Sequence, residues 1–377
     1  MRTVGIICEY NPLHRGHAKQ LRMVRELGGE GIVCLMSGNY VQRGTPAIVD
    51  KALRAAAAME CGADLVLELP LTGALASAEG FAREGVRLLG GFCDDLCFGA
   101  ETADAALLLS TAEMLLSPDF SPALRKQLDQ GLSFPVARAK ALEEMGADAS
   151  VLNTPNNILA VEYCKAILSL GASMKPMVIH RQGNYHDLIP DPENPSATSI
   201  RKRMVNAQPW EDFLPREDLF RGATLHTLEE GEKAILGRLR TMIDAEFEAL
   251  PYGSEGLWRK LMHASRHCAR LEEIATEVKS KRYTRTRIDR MILCAFLGLT
   301  KQDLQAPAPY ARVLAFNDRG REILKQARKV GCYPNIGEKL DHPYEALETR
   351  ADDLYGLFAV TPEAPGTATA RRVNYIK

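Results

Sequence analysis

The sequence lacks several features that would place it in a specialised class of protein. No apolar run is long enough to cross a bilayer as a helix, and the first residues lack the pattern of a secretory signal. The 9 cysteines are dispersed, without the paired spacing of a zinc site. We therefore expect a cytoplasmic protein that does not enter a membrane and has no metal ion held by its own side chains.

The chain also lacks an excess of charge of either sign. Its 377 residues include 47 Lys and Arg and 48 Asp and Glu, which gives a net charge of −1. The protein is therefore not basic overall, and any nucleic-acid surface must come from local clustering of cations. Because 377 residues exceed what a single core usually holds, we expect two domains.

The first part of the chain alternates strand-like and helix-like stretches, the pattern of a parallel sheet with crossover helices. Apolar runs predict strands over residues 4–8, 31–36, 64–69, 95–98 and 178–181. A largely helical insertion is expected between the fourth and fifth strands. After about residue 205 the alternation stops, and helical patterns predict a mainly helical C-terminal domain.

The first predicted strand leads into the sequence His14-Arg15-Gly16-His17, which a predicted helix from Ala18 to Glu26 follows. In a parallel sheet such a turn opens into the ligand crevice, and the helix N-terminus attracts phosphate. Two imidazoles three residues apart can both donate hydrogen bonds to one anion, and Gly16 lets a ligand approach the backbone. The alternative is an ordinary glycine-containing turn, which the flanking strand and helix disfavour.

This tetrapeptide resembles the HxGH signature of the nucleotidyltransferase superfamily, whose members activate a substrate through its attack on the α-phosphate of a nucleoside triphosphate. The longer stretch from Glu9 to His17 resembles the bacterial tRNA(Met) cytidine acetate ligases. The resemblance implies an α/β fold, with a Rossmann-like nucleotidyltransferase domain over residues 1–205 and a mainly helical tRNA-binding domain over residues 206–377. It implies catalytic roles for His14 and His17. It also implies ATP contacts along Ile7, Cys8, Glu9, Tyr10, Asn11, Pro12, Leu13, His14, Arg15, Gly16, His17, Ala18, Lys19 and Gln20.

A second motif, Pro195 to Arg201, resembles the ISSTxIR segment that accompanies HxGH in this superfamily. There, hydroxyl groups and the arginine bind the β- and γ-phosphates and the departing pyrophosphate. The resemblance implies ATP contact for Ser199 and a catalytic role for Arg201, whose planar guanidinium stays protonated while charge grows on the leaving group. Pro195 and Ala197 depart from the pattern. The alternative is a helix cap followed by a basic surface helix.

Further segments match the ligase family on the adenosine side. They imply ATP contacts for Gly99, Asn156, Asn157, Arg181 and Gln182. Asparagine amides can read an adenine edge, and an arginine can stack on a base or reach a phosphate. Each position also fits a cap, a turn or a surface site. The loop from Met36 to Gly44 fits a ligand-facing and a solvated loop equally well, and Asp50 and Lys51 after it can simply begin a helix.

The densest basic stretch runs from Lys279 to Arg290. It mixes cations with hydroxyls and an aromatic ring, a composition that suits a nucleic-acid backbone and a stacked base. We expect tRNA contacts from Lys279, Lys281, Arg282, Tyr283, Arg285 and Arg287. The alternative is a solvated helix start. His263 and His267, at i, i+4 spacing beside Cys268, lack a nearby carboxylate pattern and are interpreted as an ordinary helix face.

The resemblance implies an ATP-dependent ligase. Acetate would attack ATP to give acetyl-adenylate and pyrophosphate, and the wobble cytidine of elongator tRNA(Met) would become N4-acetylcytidine. Mg²⁺ is expected on the phosphates. Two other interpretations stay open: a nucleotidyltransferase acting on a small phosphorylated acceptor, and a non-catalytic RNA-binding protein. Pyrophosphate release that depends on acetate separates the first interpretation from the second, and any ATP turnover weighs against the third.

Overall fold

The computed structural model describes residues 1–181, 195–367 and 370–376. Its strands, in chain order, are β1 (Thr3–Cys8), β2 (Gly31–Ser37), β3 (Tyr40–Val41), β4 (Thr45–Pro46), β5 (Leu65–Leu69), β6 (Asp95–Ala100), β7 (Lys175–His180), β8 (Val313–Phe316) and β9 (Asn374–Tyr375). Seven of them form one sheet in the order β7-β6-β1-β2-β5-β8-β9. The remaining two, β3 and β4, pair in a short antiparallel hairpin.

The five strands predicted from apolar runs are all present, and they run parallel to one another. Every residue of β2 and β5 is buried, as expected for strands covered by helices on both faces. Two separate cores lie on the two faces of the sheet, one around Leu35, Leu67 and Leu96 and the other around Ile6, Cys34 and Val66. The predicted α/β class is therefore confirmed.

The helices up to residue 205 are α1 (Arg15–Glu26), α2 (Lys51–Glu60), α3 (Leu71–Ala74), α4 (Ala78–Leu89), α5 (Ala105–Leu116), α6 (Phe120–Leu128), α7 (Phe134–Glu144), α8 (Pro155–Leu170) and α9 (Ala197–Val205). Helices α5 to α8 make up the predicted insertion between β6 and β7. Helix α6 was not predicted. Its Pro122 lies in the first turn, where a missing N–H breaks no hydrogen bond of the helix.

The remaining helices are α10 (Glu217–Phe220), α11 (Leu228–Thr241), α12 (Asp244–Ala249), α13 (Leu257–His267), α14 (Leu271–Val278), α15 (Arg285–Leu297), α16 (Lys301–Gln305), α17 (Asp318–Val330) and α18 (Pro343–Tyr355). Helices α11 to α16 and α18 pack around a third core that contains Leu239, Phe247, Leu261, Met291 and Tyr355. We call these seven helices the helical body.

The C-terminal half differs from the expected mainly helical domain in one respect, because it returns to the sheet. Strand β8 runs antiparallel to β5, with Phe316 opposite Leu65, and β9 pairs with β8. Ile323 and Leu324 of α17 join the core on the same face of the sheet as Leu67. A four-residue apolar run inside a helix-rich region is too short for its periodicity to identify a strand.

No helix in the described part of the chain is long and apolar enough to cross a membrane.

Candidate active site

The turn between β1 and α1 holds the two motif histidines side by side. Helix α1 begins at Arg15, three residues before the predicted start, so His14 is its N-cap residue and His17 lies in its first turn. The backbone N–H of His14 donates to Nδ1 of His17 at 3.3 Å. The two rings stack with 3.6 Å between their centroids and 22° between their planes. The local helix geometry therefore fixes both imidazoles as one unit.

Gly16 lies between the histidines because a side chain there would displace one of them. A Cβ atom at residue 16 would lie 3.0 Å from Cε1 and 3.1 Å from Nδ1 of His14. His14 is only 3% exposed, and its Nδ1 has no hydrogen-bond partner among the described residues. A buried ring nitrogen without a hydrogen-bond partner destabilises a folded protein. A bound ligand can supply the partner that Nδ1 of His14 lacks.

Both imidazoles are neutral near pH 7. Burial lowers the pKa of His14 to about 3, with the positive charges of Arg181 and Arg201 adding to the effect. Burial, His14 and Arg181 lower the pKa of His17 well below its usual value. Because Nδ1 of neutral His17 accepts a hydrogen bond, its proton resides on Nε2. Each ring thus offers one N–H donor, and the cationic charge of the site comes from the two arginines.

Arg201 joins the second motif to the first. It lies on α9, and its Nη1 donates to the carbonyl oxygen of Asn11 at 2.6 Å, while Nη2 donates to Oγ1 of Thr198 at 3.1 Å. Ser196 is the N-cap of α9 and accepts from the N–H of Ser199 at 3.2 Å. The Ser199 hydroxyl donates to the Ser196 carbonyl at 2.8 Å. The segment is therefore a helix cap, as the alternative held, and it also places an arginine against the HxGH turn.

Glu101 organises the predicted adenosine side, at the carboxyl end of β6. Its carboxylate accepts from Oγ1 of Thr154 at 2.7 Å, from Nδ2 of Asn156 at 2.6 Å and from the N–H of Asn157 at 3.1 Å. Burial opposes the charge, but the hydrogen bonds from Asn156 and Thr154 outweigh it and lower the pKa of Glu101. In the sequence, Glu101 ends the segment from Phe98 that resembles the family's adenosine-side contacts, but its hydrogen-bond partners were not predicted.

Arg181 and the two asparagines lie together around this carboxylate. Nη1 of Arg181 donates to Oδ1 of Asn156 at 3.2 Å. Asn157 is 3% exposed. Its Oδ1 accepts from the N–H of Thr102 and its Nδ2 donates to the Thr102 hydroxyl, so its amide fixes the backbone beside Glu101. A Cβ on Gly99 would touch Arg181 at 3.8 Å. Gln182, also expected to contact ATP, lies outside the described residues.

Two polar side chains of the run expected to contact ATP bind the backbone of the segment between β2 and α2. Oδ1 of Asn11 accepts from the N–H of Ile48 at 2.7 Å, and Oε1 of Glu9 accepts from the N–H of Gln42 at 2.8 Å. The side chains of Arg15 and Lys19 are exposed. The buried members of the run are Ile7, Tyr10, Asn11, Pro12, Leu13, His14 and Ala18.

The polar loop after β2 packs against the helical body. A Cβ on Gly44, whose φ is +80°, would lie 2.4 Å from the backbone nitrogen of Arg290. Asp50 caps α2 by accepting from the N–H of Ala52 at 2.7 Å, as the helix-start interpretation held. Nζ of Lys51 lies 2.8 Å from Oε1 of Glu68 and 2.7 Å from Oδ2 of Asp352, which joins the sheet to α18. These groups connect the two parts of the fold.

Arg54 of α2 was missed by sequence reasoning. Its side chain is fully buried, and its guanidinium donates to the carbonyl oxygens of Val49 at 3.0 Å, Glu9 at 2.7 Å, Ser37 at 3.0 Å and Gly38. It therefore ties together the carboxyl ends of β1 and β2, which flank the crevice. The available signal was its place on the buried face of α2, beside Lys51, Ala55 and Ala58.

The basic stretch is less cationic at the surface than its composition suggests. Lys279 and Lys281 are exposed. Arg282 pairs with Glu255 at 2.8 Å, Arg285 with Glu272 and Asp289 at 2.7 Å, and Arg287 donates to the Tyr252 carbonyl at 2.9 Å. Thr284 caps α15, so the stretch does begin a helix.

Tyr283 departs from its predicted role as a base-stacking ring. It is 6% exposed, the Arg287 guanidinium lies 5.0 Å from its ring centre, and its hydroxyl donates to Oε2 of Glu255 at 3.2 Å. The ring is therefore part of the helical body's core. The sequence pattern does not show whether an aromatic side chain within a basic run points to solvent or into the core.

Comparison with known proteins places the chain among its relatives. A family model described as HIGH Nucleotidyl Transferase matches residues 1–367. The tRNA(Met) cytidine acetate ligase of Clostridium novyi is 38% identical, and the match covers 89% of each chain. The enzyme of the same name from Acetivibrio thermocellus is 34% identical, and the match covers 94% of each chain.

Two crystal structures of Thermotoga maritima TmcAL match the fold over 100% of both chains at 29% identity. The apo form I gives a TM-score of 0.90, and form II, bound with alpha-thio ATP, gives 0.87. The sequence relatives and the structural neighbours thus agree along the whole chain, sheet and helical body alike. The chain belongs to the HIGH nucleotidyl transferase family and, within it, to the tRNA(Met) cytidine acetate ligases.

Proposed function

We propose that this ATP-dependent tRNA-modifying ligase activates acetate as acetyl-adenylate and transfers the acetyl group to the wobble cytidine of elongator tRNA(Met). The observation that supports this most directly is the meeting of His14, His17 and Arg201 at one strand-to-helix turn. Its relatives are named as tRNA(Met) cytidine acetate ligases, and the Thermotoga maritima protein binds an ATP analogue.

In the first step an acetate oxygen forms a bond to the α-phosphorus of ATP, and the bond to pyrophosphate breaks. In the second step the cytidine N4 attacks the acetyl carbonyl, the bond to AMP breaks, and the amine loses one proton. Neither step requires a nucleophile from the protein, so the residues act by positioning and by stabilising charge. The neutral imidazoles donate hydrogen bonds, and Arg201 and Arg181 supply fixed positive charge.

Mg²⁺ would be held chiefly by the phosphates. The carboxylates of Glu9 and Glu101, at the ends of β1 and β6, already accept hydrogen bonds from Gln42, Thr154 and Asn156. The residues that surround the HxGH turn fit an anion better than a bare cation. A phosphate-bound Mg²⁺ would neutralise part of the charge that the two arginines face.

The test uses purified protein, ATP, labelled acetate and total tRNA, followed by nucleoside analysis. We expect pyrophosphate release that depends on acetate, and labelled N4-acetylcytidine in tRNA(Met) alone. Pyrophosphate release with a small phosphorylated acceptor, and none with acetate, would support a plain nucleotidyltransferase instead. Binding of tRNA without any ATP turnover would support a non-catalytic RNA-binding protein.

Loss of either arginine should weaken the use of ATP. We expect Arg201→Ala to lower the rate of pyrophosphate release about 10²–10³-fold, the usual effect of removing a donor to developing charge. Arg181→Ala should raise the KM for ATP roughly tenfold or more, since a hydrogen bond to a charged group contributes about 1.5–3 kcal/mol. Steady-state kinetics with ATP as the varied substrate measure both effects. Lys202→Ala, an exposed cation on the same helix as Arg201, is the control; equal loss in this control would refute the assignment.

The basic stretch should bind tRNA and take no part in activating acetate. Replacement of Lys281, Arg282 and Arg285 by Ala should weaken tRNA binding and reduce its salt dependence. Each lost phosphate contact makes the negative slope of log K against log salt shallower by about 0.9. Acetate-dependent pyrophosphate release without tRNA should stay near wild type. The charge-matched control replaces Arg321, Lys325 and Lys329, exposed on α17. If adenylate formation falls while the affinity for tRNA is unchanged, the stretch contributes to the active site or to the core and not to tRNA binding.

A further inference from the structure

Two helices of the helical body bring three metal-ligating side chains together on the surface, and a cysteine contacts one of them. His263 and His267 lie one turn apart on α13, Cys268 follows at the end of that helix, and Glu277 lies on α14. The sequence showed the two histidines without a carboxylate. The fold brings the carboxylate of Glu277 from the next helix to these histidines, so the group has the donors that a metal ion requires.

The distances within this group suit a single ion. Nε2 of His267 lies 2.8 Å from Oε2 of Glu277, and Nδ1 of His263 lies 3.6 Å from Oε1 of the same carboxylate. Ligand atoms of the two histidines and Glu277 all lie within 4.8 Å of one another. Ligands at about 2.0–2.3 Å from a tetrahedral ion lie roughly 3.3–3.8 Å apart, so small side-chain rotations close the site.

Cys268 supplies a fourth donor of the right kind. Its Sγ lies 3.3 Å from Oε2 of Glu277. Two imidazoles, a carboxylate and a thiolate form a set of donors that suits Zn²⁺ and related transition-metal ions, and it does not suit Mg²⁺ or Ca²⁺. Without an ion, His263 and His267 both lie within ion-pair distance of Glu277 and Cys268 donates a hydrogen bond to it, but exposed pairs of this kind contribute only about 0–1 kcal/mol each.

We propose that His263, His267, Cys268 and Glu277 bind one divalent transition-metal ion of the Zn²⁺ type. The bound ion links the C-terminal end of α13 to the C-terminal half of α14. The basic stretch begins at Lys279, two residues beyond Glu277, so the ion also fixes the starting point of the segment expected to contact tRNA. The site is separate from the ATP crevice, and its occupancy does not depend on the proposed reaction.

The experiment titrates Zn²⁺ into metal-free, reduced full-length protein by calorimetry and repeats the titration with Co²⁺, whose absorption reports a sulfur ligand. We expect one saturable site, a Co²⁺–thiolate band, and a higher Tm with metal. His267→Ala and Glu277→Gln should weaken binding at least tenfold. Cys268→Ser should remove the Co²⁺–thiolate band.

Two controls test whether the site is where we place it. His342→Ala removes the exposed histidine that caps α18, and Cys332→Ser removes an exposed cysteine after α17. Both should bind Zn²⁺ like wild type. The proposal fails if wild type shows no saturable binding, if His267→Ala binds normally, or if only Cys332→Ser loses the ion. Because every substituted side chain of the site is at least partly exposed, the variants should fold, and an unchanged Tm without metal verifies this.

Discussion

Replacement of either motif histidine by Ala is expected to lower acetate-dependent pyrophosphate release by about 10²–10³-fold, the typical effect of losing one preorganised donor to a transition state. His14 and His17 stack on one another and are neutral near pH 7, so each contributes one N–H and no net charge. Removing one ring also frees the other to move. We therefore expect pyrophosphate release by the double variant to be only slightly slower than by the less active single variant.

The measurement is a pyrophosphate-release assay at saturating ATP and acetate, with thermal unfolding recorded on the same samples. His14→Asn keeps a favourable N-cap residue with its own N–H donors at the buried position, so it tests whether an amide can replace the imidazole. His342→Ala, remote from the turn in sequence and exposed, should release pyrophosphate at the wild-type rate. Near-normal turnover in both His14→Ala and His17→Ala would show that the turn is not the catalytic centre.

Arg54→Met is expected to be among the most destabilising single substitutions in the chain. It would leave the carbonyl oxygens of Glu9, Ser37, Gly38 and Val49 buried without the donors they now share. An unsatisfied buried polar group costs about 1–3 kcal/mol. Because the four effects are not additive, we expect a loss of roughly 3–5 kcal/mol in the free energy of unfolding, at the upper end for point mutations.

Chemical denaturation monitored by circular dichroism gives this free energy directly. Arg54→Lys should recover part of the stability, because an ammonium can satisfy some of the carbonyls but lacks the planar fork. Arg83→Met, an exposed arginine on α4, should change stability by less than about 0.5 kcal/mol. A loss below about 1 kcal/mol in Arg54→Met would mean that water replaces the guanidinium at the crevice.

The parts of the fold that follow from short-range pattern were predictable. The apolar runs of β1, β2 and β5 identify buried parallel strands, and His14 to His17 mark the turn where a phosphate would bind. Arg201 was found because its motif is local in sequence. The structure then brings it to the carbonyl of Asn11, a contact across 190 residues that periodicity does not predict.

Groups that act through distant partners were not predictable. Arg54 donates hydrogen bonds to backbone oxygens, which have no signature in the sequence, and Glu101 accepts hydrogen bonds from Thr154 and Asn156 at the start of α8, far along the chain. Tyr283 was expected to stack on a base, but it lies in the bend before α15 and is buried against the helical body, which the local sequence does not indicate. In each case the missing information was the three-dimensional packing of elements that are far apart along the chain.

The antiparallel pairing of β8 with β5 has a consequence for how the protein is made. The two strands are about 250 residues apart, so at roughly 5–20 residues per second the ribosome finishes β8 some 12–50 s after β5. Throughout that interval the outer edge of β5, a wholly apolar strand apart from Glu68, has no partner and can pair with another chain. A nascent chain stalled within the helical body should therefore depend on chaperones, and truncation before residue 313 should yield aggregates even though every residue of the HxGH turn is present.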